Sequence, residues 1–289
     1  MLTRLHTVPF PVRRRNPPGF GQRWLLALLL VLIDLGGRAA TAADTIPAHG
    51  DFSRLLQRHV RWLPNGHASV VDYAGFARDR AGLQAYLKSL SAVSTETYAG
   101  WPQADQQAFL INAYNAATIE LILGHYPALE SIKDLGGLLS SPWQKPVLDL
   151  LGKTRSLDDI EHGLLRGAAN YRDPRIHFAV NCASIGCPAL RNEAYTGVQL
   201  EQQLEDQTQR FLADRSRNRF DADDRSLLLS PIFDWYGADF ERLAGGLKPF
   251  LLRYAAALGL DARSRAALVS EGLGIRFGDY DWRLNRPQS

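Results

Sequence analysis

The chain has only two cysteines among its 289 residues, and both lie close together as Cys182 and Cys187. A chain of this length can bury a core that folds without disulfides or structural metals, so the cysteines are not needed as staples. Thioredoxin-type redox sites have two residues between their cysteines, whereas this pair has four. The pattern His177-x4-Cys182-x4-Cys187 also matches no zinc signature. The sequence therefore predicts neither a redox couple nor a metal site.

Glycine-rich phosphate-binding signatures are missing as well. The chain contains neither the G-x-G-x-x-G pattern of dinucleotide sites nor the phosphate loop of nucleotide triphosphatases in a strand-to-helix context. We therefore expect no nicotinamide, flavin or nucleoside triphosphate cofactor, and no other cofactor is indicated.

Long apolar runs are also lacking, because the N-terminal run Leu25–Ile33 is ended by Asp34. A membrane-spanning helix needs about 18 or more apolar residues. Arginines precede the run and the small residues Ala40-Thr41-Ala42 follow it, which is typical of a secretory signal peptide over residues 1–43. We expect cleavage after Ala42 or Ala43 and export, to the periplasm. An uncleaved anchor is the alternative.

Strong charge of one sign is absent from the rest of the chain. The whole sequence carries a formal net charge of +3, and residues 1–43 contribute six arginines against Asp34 alone, so residues 44–289 carry −2. Such a balance offers no electrostatic footprint for nucleic acid and no polybasic patch for anionic lipid. The partner that remains is an unknown small molecule or an envelope peptide.

The order of periodic segments predicts an α+β fold, with several helices packed around a small, mainly antiparallel sheet. Residues 44–68 are interpreted as an N-terminal extension with the first helix, and residues 69–286 as one domain. The predicted helices are 83–90, 103–123, one opened by a capping box at Ser156–Asp159, one opened by a capping box at Thr196–Gln199, and one from Asp239 to Gly245. The predicted strands are 69–73, 175–180, the hairpin 218–221 with 226–230, and 275–277.

The segment around the cysteines is the first candidate for chemistry. A disulfide between Cys182 and Cys187 is one interpretation, and a free Cys182 thiolate activated by His177 is the other. If residues 175–180 form a regular strand that continues to Cys182, the odd spacing places His177 and Cys182 on opposite faces. A Cys–His pair then requires the chain to bend near Asn181.

Two further groups of polar residues are candidates. Asn112 and Asn115 are neighbours on one face of an otherwise apolar helix, where they form a structural hydrogen-bond network or, alternatively, line a cleft and act as oxyanion donors. Asp281 lies in an aromatic C-terminal segment and is a candidate for orienting a histidine.

Five segments resemble, in order, the bacterial family known as domain of unknown function 547. They are Phe109–Ile122, Ser156–Arg166, Asp173–Tyr195, Ser230–Phe240 and Tyr280–Asn285. The resemblance extends over residues 71–285 and implies an exported or envelope-associated protein, without assigning any catalytic residue. A weaker analogy of layout links the chain to papain-like and transglutaminase-like folds, in which a strand histidine meets a cysteine on a helix.

The resulting hypothesis is a cysteine-dependent hydrolase or acyltransferase. Cys182 is the nucleophile, His177 the general base, Asp281 the orienting group, and Asn112 or Asn115 the oxyanion donor. The alternative is a non-catalytic envelope binding or scaffold module in which a Cys182–Cys187 disulfide and the two asparagines are structural. The first hypothesis requires a free thiol and the second does not.

Overall fold

The computed structural model describes residues 46–137, 140–167, 172–270 and 272–287. The α-helices are α1 (Gly50–His59), α2 (Tyr73–Arg78), α3 (Arg80–Ser91), α4 (Thr95–Ala99), α5 (Gln103–Leu123), α6 (Leu200–Ala213), α7 (Ile232–Trp235), α8 (Gly237–Ala244), α9 (Leu247–Arg253) and α10 (Ala262–Val269). The strands are β1 (Val60–Trp62), β2 (Ser69–Val71), β3 (Pro146–Leu150), β4 (Lys153–Ser156), β5 (Arg219–Asp221), β6 (Ser226–Leu229) and β7 (Gly274–Phe277). A π-helix spans Asp159–Leu165, and 3-10 helices span Ile132–Leu135, Pro142–Gln144 and Pro174–Phe178.

Helix α5 forms the centre of the larger core and confirms the predicted helix at both ends. It begins after Pro102 and ends before Gly124, the two punctuating residues in the sequence. From Gln107 to Ile119 every side chain is buried, which fits a helix that is apolar nearly all round. Helices α2 and α3, strand β3 and the π-helix pack around it.

A second, smaller core lies between α6 and the helices α7 to α10. Its centre is a cluster of phenylalanine rings from Phe178, Phe211, Phe233, Phe240 and Phe250, with centroids about 5–6 Å apart. The 3-10 helix Pro174–Phe178 connects the two cores, because Ile176 packs in the larger one and Phe178 in the smaller one. This short helix is therefore held from both sides.

The strands form three small sheets among the described residues. Strands β1 and β2 pair antiparallel, as do β3 with β4 and β5 with β6, while β7 adds parallel to β6. The α+β class and the β5–β6 hairpin are confirmed. The prediction of a single sheet was wrong, because the described strands form three sheets. None of them is a larger sheet of the papain-like kind.

The predicted strand 175–180 was also wrong, because this segment contains the 3-10 helix. Asp173 caps the helix by accepting the N–H of Arg175 at 2.9 Å, and Pro174 supplies a φ value suited to a first turn. Arg175 then forms ion pairs with Asp173, Glu201 and Glu205, which tie the turn to α6. The opposite-faces argument for His177 and Cys182 no longer applies.

The two predicted capping boxes have different outcomes. Ser156 and Asp159 exchange hydrogen bonds between side chain and main chain, which confirms the first box, although the helix that follows is a π-helix. At the second position, the Thr196 hydroxyl bonds the Gln199 side chain instead of a main-chain N–H, and α6 begins later, at Leu200. The prediction of a capping box at Thr196–Gln199 was therefore wrong.

The N-terminal predictions concern residues that mostly lie outside the described ranges. This holds for the signal peptide over 1–43 and for residues 44 and 45. Helix α1 lies within residues 44–68, and the division of the chain at residue 69 stays a prediction. Within the described part of the chain, no helix combines the length and apolarity that a bilayer crossing demands.

Burial of His49 at the start of α1 predicts a loss of stability in mild acid. Nδ1 of His49 lies 2.7 Å from the hydroxyl oxygen of Tyr86. Burial lowers the pKa of His49 to about 4. A histidine with a lowered folded-state pKa contributes stability above its unfolded-state pKa of about 6.5, and that contribution is lost as the pH falls. From this residue we expect the free energy of unfolding to decrease by about 2 kcal/mol between pH 7 and pH 5.

Urea denaturation at several pH values checks this expectation. His49→Gln should flatten the pH dependence, whereas His125→Gln, at an exposed histidine, should leave it unchanged. Equal slopes for the wild type and His49→Gln would contradict the assignment.

Candidate functional site

A cleft with a volume of about 200 Å³ lies beside the 3-10 helix and the disulfide. Its walls combine aromatic rings, carboxylates, two histidines and both cysteines. The lining residues are Tyr114, Trp143, Asp158, Glu161, His162, His177, Val180, Cys182, Cys187, Pro188, Ile232, Trp235, Tyr236, Tyr280 and Trp282.

His177 is the most constrained titratable residue in this cleft. Its side chain is fully buried, and Nε2 lies 2.9 Å from Oδ2 of Asp239. The ring stacks on Tyr236 with centroids 3.8 Å apart and planes 18° apart. Burial lowers the pKa of His177 and outweighs the opposing hydrogen bond to Asp239. The neutral imidazole therefore donates from Nε2, and Nδ1 has no partner among the described residues.

Asp239 is held as an ionised carboxylate by several donors. Arg166 donates to it from Nε at 2.7 Å, and Arg242 donates at 2.8 Å. The hydrogen bond from His177, together with Arg166, holds the pKa of Asp239 well below its usual range. The resulting Asp239–His177 pair fixes the imidazole in one orientation and one tautomer.

Glu161 supplies a buried carboxylate to the same cleft. The π-helix places it there, and the main-chain N–H of Arg166 reaches back to the Glu161 carbonyl at 2.8 Å. Single π-type turns often occur at functional sites because they present side chains that a regular α-helix would not. The Tyr236 hydroxyl donates to Oε1 of Glu161 at 2.7 Å. Burial and this carboxylate raise the pKa of both Tyr236 and Tyr114.

The two cysteines form a disulfide on the wall of the cleft. The Tyr280 hydroxyl lies 3.1 Å from the Cys187 sulfur and 3.2 Å from the Cys182 sulfur. The free thiol that the hydrolase hypothesis requires is therefore absent from the described structure. Because both sulfur valences are used in the bond, Cys182 cannot act as a nucleophile in this state.

The family comparison covers the middle of the chain. The model of a family described as "Protein of unknown function, DUF547" matches residues 98–212. These residues, 98–212, are called the DUF547 segment below. The resemblance noted from the sequence is confirmed over this range, which is narrower than the expected 71–285. Neither the curated proteins nor the solved structures contain a match to this chain.

The DUF547 segment contributes only part of the cleft. Tyr114, Glu161, His177 and both cysteines lie within it. Later residues complete the lining, among them Trp235, Tyr236, Tyr280 and Trp282, and the partner of His177 is Asp239. The site therefore depends on the C-terminal part of the chain as well as on the DUF547 segment.

The two asparagines of the DUF547 segment bind main chain. Asn112 donates to the Tyr195 carbonyl at 2.8 Å and accepts the Tyr195 N–H at 2.9 Å. Asn115 donates to the Ala179 carbonyl at 3.0 Å and accepts the Asn181 N–H at 2.9 Å. Neither lines the cleft, and both amides already have donor and acceptor partners. Both asparagines therefore have the geometry of a structural hydrogen-bond network. Neither amide points at a position where an oxyanion could bind in the cleft.

Asp281 is bonded to Arg283 and not to His177. It accepts hydrogen bonds from Arg283, which lower the pKa of Asp281, and it is not among the cleft-lining residues. The orienting carboxylate is Asp239 instead, which the sequence indicated only as a helix-start residue. Of the predicted site residues, the structure thus brings together His177 and Cys182 in one cleft. Among the described residues, no group of three or more His, Cys, Asp or Glu side chains is arranged to hold a metal ion.

Proposed function

We propose that the cleft binds a small ligand through a positively charged ammonium group. The observation that carries this proposal is the sign of the lining charges, since Asp158 and Glu161 are acidic and the described lining includes no lysine or arginine. Burial raises the pKa of Asp158, and the neighbouring Glu161 adds to this. A cation relieves such a pair of carboxylates, whereas an anion would be repelled.

The aromatic walls support the same ligand chemistry. An ammonium group over a tyrosine or tryptophan face gains about 0.5–2 kcal/mol, and more when it is desolvated. Two rings of this wall already have protein cations on their faces, with Lys133 4.9 Å from the Trp282 centroid and Arg166 4.8 Å from the Tyr236 centroid. Arg166 is bonded to Asp239, and it is not part of the cleft lining. A small amine and the amino group of an envelope peptide share the required chemistry.

Titration with tetramethylammonium tests the proposal. Three of the six tryptophans, Trp143, Trp235 and Trp282, line the cleft, so we expect saturable quenching or shift of the tryptophan fluorescence. Glu161→Gln should weaken binding about tenfold or more, because it removes a charge-assisted contact. Glu96→Gln, at an exposed glutamate in α4, should bind like the wild type.

Neutral probes separate the alternatives. tert-Butanol has a similar shape without the charge, and glucose represents an uncharged sugar that would also stack on aromatic rings. Equal binding of tert-butanol, or preferential binding of glucose, would contradict an ammonium site.

A second candidate function is the cysteine-dependent hydrolase or acyltransferase, now with Asp239 in place of Asp281. The specific observation in its favour is that the Cys182 sulfur and the imidazole of His177 line the same cleft. It requires the disulfide to be open, so hydrolysis of p-nitrophenyl acetate should appear on reduction and vanish in Cys182→Ser. Activity that is equal with the disulfide closed and open would remove Cys182 from the mechanism.

Export is part of the proposed function. Disulfides persist in oxidising compartments and are rare in the reducing cytosol. The Cys182–Cys187 bond therefore indicates a non-reducing environment, and the sequence features of residues 1–43 agree with secretion to the periplasm. The mass of the protein after expression in a secreting host, with a new N-terminus at residue 43 or 44, tests this proposal.

A further inference from the structure

The two sulfurs of the disulfide have different surroundings. Cys187 is buried at 3 % exposure, whereas Cys182 is partly exposed. The Cys187 sulfur accepts the main-chain N–H of Cys182 at 2.9 Å and lies 3.1 Å from the Tyr280 hydroxyl. The Cys182 sulfur lies 3.2 Å from the same hydroxyl and 3.5 Å from the Ser184 hydroxyl, and it accepts no main-chain N–H among the described residues. The bond therefore joins the more exposed cysteine, Cys182, to a buried cysteine whose sulfur accepts a main-chain hydrogen bond that can stabilise negative charge.

We propose that the Cys182–Cys187 bond is a reactive disulfide that exchanges with a small thiol entering the cleft. Both cysteines line the cleft, so an incoming sulfur can reach Cys182 without unfolding of the protein. This activity is independent of the ammonium site, because it requires only that a thiol enters. In this role the cysteines are neither a permanently free nucleophile nor an unreactive structural disulfide.

The exchange consists of two successive displacements at sulfur. The thiolate of the first substrate attacks the Cys182 sulfur, forms a mixed disulfide with it, and breaks the bond to Cys187. The electron pair passes to the Cys187 sulfur, which takes up the proton that the substrate thiol released. A second substrate thiol attacks the sulfur of the bound substrate, which releases a substrate disulfide and leaves Cys182 as a thiol. In total, two thiols are oxidised to one disulfide while the protein disulfide is reduced to two thiols.

Nearby groups can assist each displacement. The Cys182 N–H and the Tyr280 hydroxyl stabilise the leaving Cys187 thiolate by hydrogen bonding, and a better-stabilised thiolate leaves faster. The imidazole of His177 lines the same cleft, and its Nδ1 has no partner among the described residues.

The inference is tested with the whole folded protein and 2-mercaptoethanol, an uncharged thiol that does not depend on ammonium binding. We expect reduction of the disulfide without denaturant, with a transient adduct on Cys182 that acid quenching and peptide mass spectrometry locate. Tyr280→Phe should slow the reaction about three- to tenfold, since one hydrogen bond to the leaving sulfur is lost. Tyr254→Phe removes a buried tyrosine hydroxyl that bonds Glu205 elsewhere, and it should react at the wild-type rate.

Single-cysteine variants provide a second measurement. With bis(2-hydroxyethyl) disulfide as the probe, Cys187→Ser should form the mixed disulfide on Cys182 faster than Cys182→Ser forms one on Cys187. A bond that is reduced only in denaturant, or an adduct located on Cys187, would overturn the inference. Failure of tetramethylammonium to bind would leave these results unaffected, so the two proposals fail separately.

Discussion

Replacement of Asp239 by alanine is expected to lower the free energy of unfolding by about 3–5 kcal/mol, the range found when one partner of a buried ion pair is removed. The Asp239 carboxylate is buried and accepts from His177, Arg166 and Arg242. Its loss leaves the Arg166 guanidinium and the His177 Nε2–H without their acceptor. We therefore expect a larger effect than for any exposed carboxylate of the chain.

The lowered pKa of Asp239 adds a dependence on pH. A carboxyl group whose folded-state pKa is depressed contributes stability above its unfolded-state pKa of about 4, and this contribution is lost as the pH falls towards the folded-state value. The difference in stability between wild type and Asp239→Ala should therefore be largest near neutral pH and should shrink below about pH 4.

Urea denaturation with circular dichroism measures both effects. Asp234→Ala provides a matched control, because Asp234 is exposed in the neighbouring helix α7 and should change stability by less than about 0.5 kcal/mol. Asp239→Asn retains the size of the side chain and isolates the loss of charge. If Asp239→Ala and Asp234→Ala were equally stable, Asp239 would not hold the site together.

The sequence predicted elements whose signals are local. Both ends of helix α5 were predicted correctly, because Pro102 and Gly124 mark them and because the apolar residues of the helix leave no polar face. The β5–β6 hairpin followed from two short segments, 218–221 and 226–230, that are joined by acidic turn residues. In both cases the residues that determine the structure are the residues of the element itself.

The 3-10 helix at 174–178 shows where local patterns mislead. Alternation of apolar and polar residues from Arg175 to Val180 fits a strand, but Ile176 and Phe178 alternate here because they enter two different cores. The Asp173-Pro174 pair was a cap signal that outweighed the alternation. The sequence thus contains a start signal for the 3-10 helix at this position.

The partners of His177 could not be predicted, because tertiary contacts supply them. Asp239 lies 62 residues away, and its position at the start of α8 has an ordinary explanation in the helix dipole. Glu161 follows the predicted capping box at Ser156–Asp159, and only the π-helix directs it into the cleft. Neither contact could be predicted without knowing how the helices that contain Asp239 and Glu161 pack.

A bend near Asn181 was stated as the requirement for a Cys–His pair, and the structure contains a turn directly after Asn181, at Ala183. Ala183 adopts a left-handed conformation with φ of 63°, which is unfavourable for a residue with a side chain. The Asn181 side chain compensates by accepting the Ala183 N–H at 2.9 Å and donating to the Pro188 carbonyl at 2.7 Å. Asn115 in turn holds the main chain of Asn181, so the disulfide loop is tied to the central helix.

This chain of contacts predicts that Asn115→Ala destabilises the protein by about 2–4 kcal/mol, since two buried main-chain groups lose their partners. Asn112→Ala should cost a similar amount, because it leaves the N–H and carbonyl of Tyr195 unpaired in the same way. The two variants should differ at the cleft. Asn115 positions the segment between His177 and Cys182, whereas Tyr195 is not part of the cleft lining.

Comparison of the two variants distinguishes a general loss of stability from a specific loss of the site. Below the denaturation transition, Asn115→Ala should weaken tetramethylammonium binding and alter the rate of thiol exchange, while Asn112→Ala should change neither. Asn65→Ala, at an exposed asparagine whose side chain accepts the N–H of His67, controls for the substitution itself and should be neutral in all three measurements. Equal effects of Asn115→Ala and Asn112→Ala on binding would show that Asn115 stabilises the fold without positioning the cleft.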